Sequence, residues 1–137
     1  MSYPPKGELT RKDLLYPELS YKSVGILFEV SNQLGYKYEE RYFQKTIASF
    51  LKEANINFKE QVQVKLVIDN KEIAKGIMDF LIEDIVVLEI KKGDRFLKTN
   101  IDQVNSYLRM TNLQLGILAN FTSRGLQFKR IVNIHNS

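Results

Sequence analysis

The sequence predicts one α/β domain in which a mixed β-sheet is flanked by helices. Two stretches with helical spacing of apolar residues come first, and three strand-like stretches follow without a helix between them. A third helical stretch then leads to two final strands, so parallel and antiparallel neighbours must share one sheet, unlike a strictly alternating Rossmann domain. We expect this domain to span residues 18–137, after an N-terminal arm of residues 1–17 that holds all 3 prolines.

The helices are predicted from stripes of apolar residues. Residues 20–34 repeat apolar side chains at helical spacing, and Gly35 follows as a C-cap. Residues 38–55 carry the clearest stripe in the chain. Residues 100–110 form the third predicted helix, which Asn100 could cap.

The strands are predicted from alternation and from runs of apolar residues. The first has apolar residues of one parity, and a turn at residues 69–71 returns the chain. The third is almost continuously apolar, as expected for a strand covered on both faces. The predicted strands are residues 58–68, 73–82, 85–90, 113–121 and 128–132.

Composition excludes several classes of protein. The chain has 137 residues, of which 44% are hydrophobic, enough for one core. It has 0 cysteines, which excludes disulfides and thiol nucleophiles, and the 1 histidine, His135, lies in the tail, which argues against histidine-based catalysis. No apolar run is long enough for a membrane span, and the start lacks a signal-peptide core. We therefore expect a cytoplasmic protein that does not bind membranes.

The charge balance permits nucleic-acid binding. Lys and Arg number 20 against 16 Asp and Glu, which gives a formal net charge of +4. Basic residues gather at Lys92, Arg95 and Lys98, and again around Arg124. These residues are candidates for contacts with a nucleic-acid backbone, and an ordinary solvated face is the alternative.

Glu89 and Lys91 are the first candidates for chemistry. They stand two residues apart at the end of the third strand, so both side chains project from the same face. Charges that interrupt an apolar strand are costly unless they are paired or bind a metal ion. The same spacing also occurs at residues 69–71 in a turn, so the pattern needs its context, and a salt bridge at a strand end is the alternative.

Asp79 supplies that context as a lone acid within an apolar strand. A two-residue turn after residue 82 would place Asp79 and Glu89 on opposite faces. A three-residue connection or a bulge would instead bring their carboxylates within the ~5 Å typical of cross-strand neighbours. Carboxylates that close repel each other unless one is protonated or a divalent cation lies between them, and we expect the cation.

Three further residues could complete a site. Glu40 lies roughly 35° from the centre of the second helix's apolar stripe, against roughly 65° for Glu39, so it points more nearly at the sheet. Its alternative role is favourable charge in the first turn of a helix. Gln103 and Tyr107 share one helix face and could orient water or contact phosphate, or they could be ordinary residues at the helix boundary.

Together these residues resemble the GxxExxY family of the PD-(D/E)xK nuclease-like superfamily, over most of the chain. The name-giving motif falls on residues 37–43, where Glu40 supplies the glutamate while Lys37 replaces the glycine and Phe43 the tyrosine. The other matching stretches are residues 16–21, 78–84, 87–91, 103–108, 115–121 and 130–133.

The resemblance implies a restriction-endonuclease-like αβββαβ core. It implies that Asp79 and Glu89 bind Mg²⁺, for which Mn²⁺ could substitute, that Lys91 positions or activates the attacking water, and that Glu40 completes the acidic site. It also implies that Gln103 and Tyr107 belong to the helix motif of exonuclease-like members. We assign Gln103 to the catalytic set and Tyr107 to the nucleic-acid contacts.

The expected function is therefore Mg²⁺-dependent hydrolysis of nucleic acid, with DNA rather than RNA as the expected substrate. Two alternatives remain open: a non-catalytic nucleic-acid-binding or protein-interaction module that keeps the fold, and a structural domain with buried ion pairs. A domain of this size could form a homodimer to engage both strands of a duplex.

Overall fold

The predicted order of helices and strands is confirmed. The structure is a computed structural model that describes residues 16–133, so His135 and residues 1–15 of the predicted arm lie outside the described residues. The elements are α1 (Pro17–Leu34), α2 (Glu40–Glu53), β1 (Phe58–Ile68), β2 (Lys71–Ile82), β3 (Val86–Lys92), α3 (Lys98–Thr111), β4 (Leu115–Thr122) and β5 (Gly125–Val132). Within residues 16–133, no helix is long and apolar enough to cross a bilayer.

The sheet is mixed, as predicted. Its 5 strands lie in the order β1-β2-β3-β4-β5. Neighbours are antiparallel except β3 and β4, which are parallel and joined through α3. The side chains of β4 and most of β3 are buried, as central strands covered on both faces require.

Helices cover both faces of this sheet. On one face α1 and α2 pack through fully buried side chains, and the Phe43 ring of α2 lies 4.4 Å from the Phe121 ring of β4, centroid to centroid. Burying an apolar side chain of this size contributes about 1.5–3 kcal/mol, more than the differences in helix propensity among ordinary residues. Packing against the sheet therefore holds these helices in place.

Helix α3 covers the opposite face at very close range. A Cβ atom at Gly116 of β4 would lie 2.5 Å from Val104 Cγ1, and one at Gly76 of β2 would lie 2.5 Å from Tyr107 Cε1. Contacts that short do not occur between real side chains, so these two glycines set how closely α3 approaches the sheet.

A bend crosses β1 and β2 at Gln61 and Asp79. Phe58 and Phe80 pack with the core under α1 and α2, whereas Val62 and Met78 pack with the core under α3. Gln61 has a φ of 51°, in the left-handed region, and the pairing register is the same on both sides of the bend. Gln61 therefore reverses the alternation, so apolar residues of one parity lie on different faces before and after it.

Several predicted boundaries also differ. Helix α1 begins at Pro17, which needs no hydrogen-bond donor at the first helical position, so the predicted arm ends before this residue. Asn100 does not cap α3, because the helix begins at Lys98 and Leu97 occupies the cap position. Strand β5 begins at Gly125 rather than residue 128, since it pairs with β4 directly after a tight turn.

Candidate metal and nucleic-acid site

The hairpin between β2 and β3 has the three-residue connection that the candidate site requires. Phe80 pairs with Leu88 and Ile82 with Val86, which leaves residues 83–85 as the connection. Glu83 and Asp84 have φ values of 52° and 59°, and the Ile85 amide donates to the Ile82 carbonyl over 3.0 Å. This register makes Asp79 and Glu89 the next facing pair.

The Asp79 and Glu89 carboxylates each accept a backbone hydrogen bond from the opposite strand. The Asp79 amide donates to Glu89 Oε1 over 3.0 Å, and the Ile90 amide donates to Asp79 Oδ2 over 2.8 Å. Regular pairing of β2 with β3 covers only residues 80–82 and 86–88, so the carboxylates replace ladder bonds where the strands separate. Beyond this point β2 continues with β1 alone.

The carboxyl pair is electrostatically strained. Glu89 is 3% exposed, and burial, followed by the adjacent charge of Asp79, raises its pKa to about 8. The Asp79 amide and the Lys91 ammonium oppose this rise, with Lys91 Nζ 3.9 Å from Glu89 Oε2. The pair therefore favours binding either a proton or an additional cation.

Glu40 reaches the same site from the first turn of α2. Its carboxylate accepts a hydrogen bond from the Lys92 amide. Partial burial and the charge of Asp79 raise its pKa, and the charge of Lys91 opposes them, although the residue as a whole remains open to solvent. Glu39 instead points outward and pairs with Arg41 over 3.2 Å. The helical geometry thus distinguishes these two acids as the sequence predicts.

Tyr107 and Gln103 approach the carboxylates from α3. The Tyr107 hydroxyl donates to the Ile77 carbonyl over 2.9 Å, and Gln103 forms a side-chain hydrogen bond with it. Burial and then the charge of Glu89 raise the pKa of Tyr107. Because Tyr107 is only 3% exposed, it is unsuited to the direct contact with nucleic acid that the sequence predicts.

The predicted basic residues lie at the end of β3, in the loops after β3 and β4 and at the start of α3. We call Lys92, Arg95, Lys98 and Arg124 the rim. Lys92 places Nζ 3.8 Å from the centroid of the Tyr36 ring. Arg95 and Arg124 are exposed, and the charges of Arg124 and Lys92 help, after hydrogen bonds to Ser123, to lower the pKa of Asp94. Lys98 is also exposed but pairs with Asp102 over 2.9 Å, so it is a weaker candidate.

Sequence reasoning missed three supporting side chains. The Gln44 amide donates to the Asp79 carbonyl over 3.3 Å, and the Gln61 amide approaches Asp79 Oδ1 at 3.4 Å. Asn120 is 2% exposed, and its amide donates to the Gly93 carbonyl over 2.8 Å, which fixes the chain after Lys92. A lone asparagine within the apolar run of β4 is a detectable signal, whereas Gln61 depends on the bend.

The carboxylates of the site fit the coordination habits of a divalent cation. Among the described residues, no three acidic or histidine side chains form a ready metal cage. The Gln61 amide lies 3.4 Å from Asp79 Oδ1, and the Lys91 ammonium lies 3.9 Å from Glu89 Oε2. Mg²⁺ commonly binds through one or two carboxylates, with water and substrate oxygens completing its shell. Two contacting carboxylates, each with an available oxygen, fit that pattern.

Fold and site together define the class. A mixed sheet with a helix crossover, carrying an Asp on one strand and Glu-x-Lys on the next, is the arrangement of a nuclease-like domain. The sequence model of the PD-(D/E)XK nuclease superfamily matches residues 17–131, and the chain belongs to this superfamily.

Two solved structures resemble the chain. The crystal structure of SSO0001 superposes with a TM-score of 0.56 at 22% sequence identity, over 86% of this chain and 57% of that one. The chain thus spans little more than half of that protein. An alkaline exonuclease (LHK-Exo) from Laribacter hongkongensis gives a TM-score of 0.43 at 13% identity, over 93% of this chain and 74% of that one. No curated protein sequence matches the chain significantly.

Proposed function

We propose that this protein is a Mg²⁺-dependent nuclease that hydrolyses phosphodiester bonds of DNA, with Mn²⁺ as an effective substitute, and that it belongs to the GxxExxY branch of its superfamily. The observation that carries the proposal is the reciprocal contact of Asp79 and Glu89 beside Lys91. A buried carboxylate with a raised pKa beside a second, partly buried carboxylate is poorly stabilised without a cation. Cytoplasmic location and a homodimer remain predictions.

Each side chain has a role in this proposal. Asp79 and Glu89 would hold the ion, and Glu40 would assist from the open side of the site. A bound divalent ion supplies charge neutralisation for phosphoryl oxygens and a more acidic water. Lys91 points its ammonium group at the same place, where it either takes a proton from the attacking water or remains charged and stabilises the transition state. Gln103, held by Tyr107, would orient the water or a phosphate oxygen.

The rim residues would hold the backbone of the substrate. Lys92 lies at the end of β3, and Arg95 and Arg124 are exposed on the loops that follow β3 and β4, with Lys98 as a further contact. Contacts to phosphates carry no sequence information and weaken steeply with salt. Binding should therefore be salt-sensitive and largely independent of sequence.

A non-catalytic module is the second candidate, and one observation favours it. One backbone bond to each carboxylate and the ion pair of Lys91 with Glu89 satisfy part of both groups without any ion. These contacts could serve only to hold β2 and β3 together where their regular pairing ends. If that is their whole role, Mg²⁺ should not raise the melting temperature of the protein.

Cleavage and thermal stability are measured together on one set of variants. With Mg²⁺ or Mn²⁺, Asp79→Asn and Lys91→Ala should lower cleavage of a labelled DNA by roughly 100-fold or more, because each removes charge at the reacting phosphate. The ions should raise the melting temperature of the wild type but not that of Glu89→Gln.

The turn at residues 69–71 supplies a matched control, since it repeats the same residue types away from the site. Asp69→Asn and Lys71→Ala should leave cleavage unchanged. Glu39→Gln is the matched control for Glu40→Gln, because Glu39 is the neighbouring acid that points away from the site. Full cleavage by Asp79→Asn or Lys91→Ala would refute the assignment. Binding without hydrolysis under either metal would establish the non-catalytic module instead.

A further inference from the structure

A group of tyrosines lies on the surface between α1 and α2, next to the candidate site. Tyr38 is 46% exposed and Tyr42 is 38% exposed, which is unusual for large rings. The two rings meet edge to face with their centroids 5.7 Å apart. Their contact fixes the rings but leaves much of their apolar surface in water.

Cations alternate with these rings. Lys92 Nζ lies 3.8 Å from the Tyr36 centroid, and the Arg41 guanidinium lies 4.8 Å from the Tyr42 centroid. Arg41 also donates to the Tyr42 hydroxyl over 3.1 Å and pairs with Glu39 over 3.2 Å, so Lys92 is the stronger cation of the two. Exposed aromatic rings interleaved with positive charge suit a ligand that has both flat apolar groups and anionic groups.

Two contacts connect this surface to the candidate site. The Lys92 side chain covers Tyr36, and the Lys92 amide donates to the Glu40 carboxylate. Glu40 lies between Tyr38 and Tyr42 in sequence and also interacts with the charges of Lys91 and Asp79. A strand whose phosphate reached Lys91 would therefore place its neighbouring nucleotides beside the tyrosines.

Only unpaired bases can stack on such rings. In a duplex the base faces are already stacked, whereas single strands present free π-faces to aromatic side chains. We infer that Tyr38 and Tyr42 form a stacking platform for the bases of a single-stranded nucleic acid whose backbone enters the site between Glu40 and Lys91. The choice of cleavage substrate rests on the proposed nuclease activity, whereas the binding does not.

The test separates base stacking from phosphate binding. Fluorescence anisotropy in EDTA compares a labelled deoxythymidine oligomer with an abasic oligomer of equal length, a blunt duplex and a ribouridine oligomer. Tyr38→Ala combined with Tyr42→Ala should weaken binding of the thymidine oligomer about 5- to 100-fold, as the loss of one stacked base does. The abasic oligomer and the duplex should be bound as before, and the uridine oligomer reports whether the sugar matters.

Two control variants sharpen the result. Tyr21→Ala removes a ring of α1 that is 37% exposed and outside this group, and it should not change binding. Tyr38→Phe combined with Tyr42→Phe keeps both rings and should retain most of the affinity. Equal losses on the thymidine and abasic oligomers, or no loss on either, would overturn the platform.

Different results would refute the stacking platform and the nuclease activity. Ring-dependent binding of single strands without hydrolysis under Mg²⁺ or Mn²⁺ would refute the nuclease and keep the platform. The double alanine variant could instead hydrolyse single-stranded and duplex DNA in the same ratio as the wild type. That result would support the nuclease activity and refute the platform.

Discussion

Glu89 is the residue on which both stability and the proposed chemistry depend. It is 3% exposed and faces Asp79. Its negative charge is only partly balanced by Lys91, whose Nζ lies 3.9 Å from Glu89 Oε2. A carboxyl group placed there for stability alone would be a poor choice, because an apolar residue would fill the same strand position without a desolvation cost. Its unfavourable environment is expected where a site must bind a cation.

The raised pKa of Glu89 predicts a specific pH dependence of folding. Its pKa is 4.5 without perturbation and about 8 in the folded protein, so the folded state keeps a proton that the unfolded state loses between these values. Stability from this group is therefore full below the lower pKa and falls as pH rises through the upper one. In EDTA, Glu89→Gln should melt above the wild type at about pH 9 and show a smaller difference at about pH 5.

Thermal melts of the two proteins across this range provide the measurement. The raised pKa of Glu40 acts in the same direction in both proteins and cancels in the difference. A difference in melting temperature that is constant with pH would show that Glu89 is ionised in the folded protein throughout.

At the scale of elements, the close contact of α3 with the sheet depends on glycine. The Gly116 position leaves no room for a Cβ atom beside Val104, whose branched side chain is fully buried. Gly116→Ala should destabilise the protein by about 1–3 kcal/mol, the usual cost of overpacking a core. Denaturant unfolding measures the loss, which Gly116→Ala combined with Val104→Ala should partly restore because the clash is removed.

Gly25 provides the matched control in helix α1. A Cβ atom there would meet nothing within 4 Å, so only the backbone effect remains. Gly25→Ala should stabilise the protein by about 0.5–1 kcal/mol, since alanine favours a helix over glycine. Destabilisation by both alanine substitutions would show that the packing of α3 is not the cause.

The apolar pattern of the sequence predicts the helices and strands but not the bend at Gln61 or the burial of Tyr107. Apolar periodicity located the helices and strands of residues 16–133. The requirement that Asp79 meet Glu89 predicted a three-residue connection or a bulge, and the structure has the connection, at residues 83–85. The bend at Gln61 was missed because a left-handed φ at a glutamine leaves no mark in the apolar pattern. The burial of Tyr107 was missed because its partner surface, Gly76, is distant in sequence.

At the scale of the whole molecule, the placement of charge matters more than its sum. The formal net charge is only +4, yet exposed cations at Arg95 and Arg124 lie on the two loops that follow β3 and β4. These parallel neighbours end at the same edge of the sheet, beyond Glu89 and Lys91 along β3. A local positive rim around an acidic centre can hold a polyanion that the centre alone would repel.

Two double variants with equal net charge separate placement from total charge. Arg95→Gln with Arg124→Gln removes two cations of the rim, whereas Lys22→Gln with Lys52→Gln removes two exposed lysines from α1 and the last turn of α2. Lys52 lies near the opposite end of α2 from Glu40, at a distance of about 18 Å along the axis. Both variants lose the same charge, so nonspecific attraction falls equally in each.

Only the rim variant should change how the affinity depends on salt. Each phosphate contact on a single strand contributes about 0.7 to the slope of log affinity against log salt concentration. Loss of Arg95 and Arg124 should therefore lower that slope by about 1.4, measured by anisotropy with a labelled single strand in EDTA. Equal slopes in the two variants would mean that the rim does not contact the backbone, because total charge would then account for all of the salt dependence.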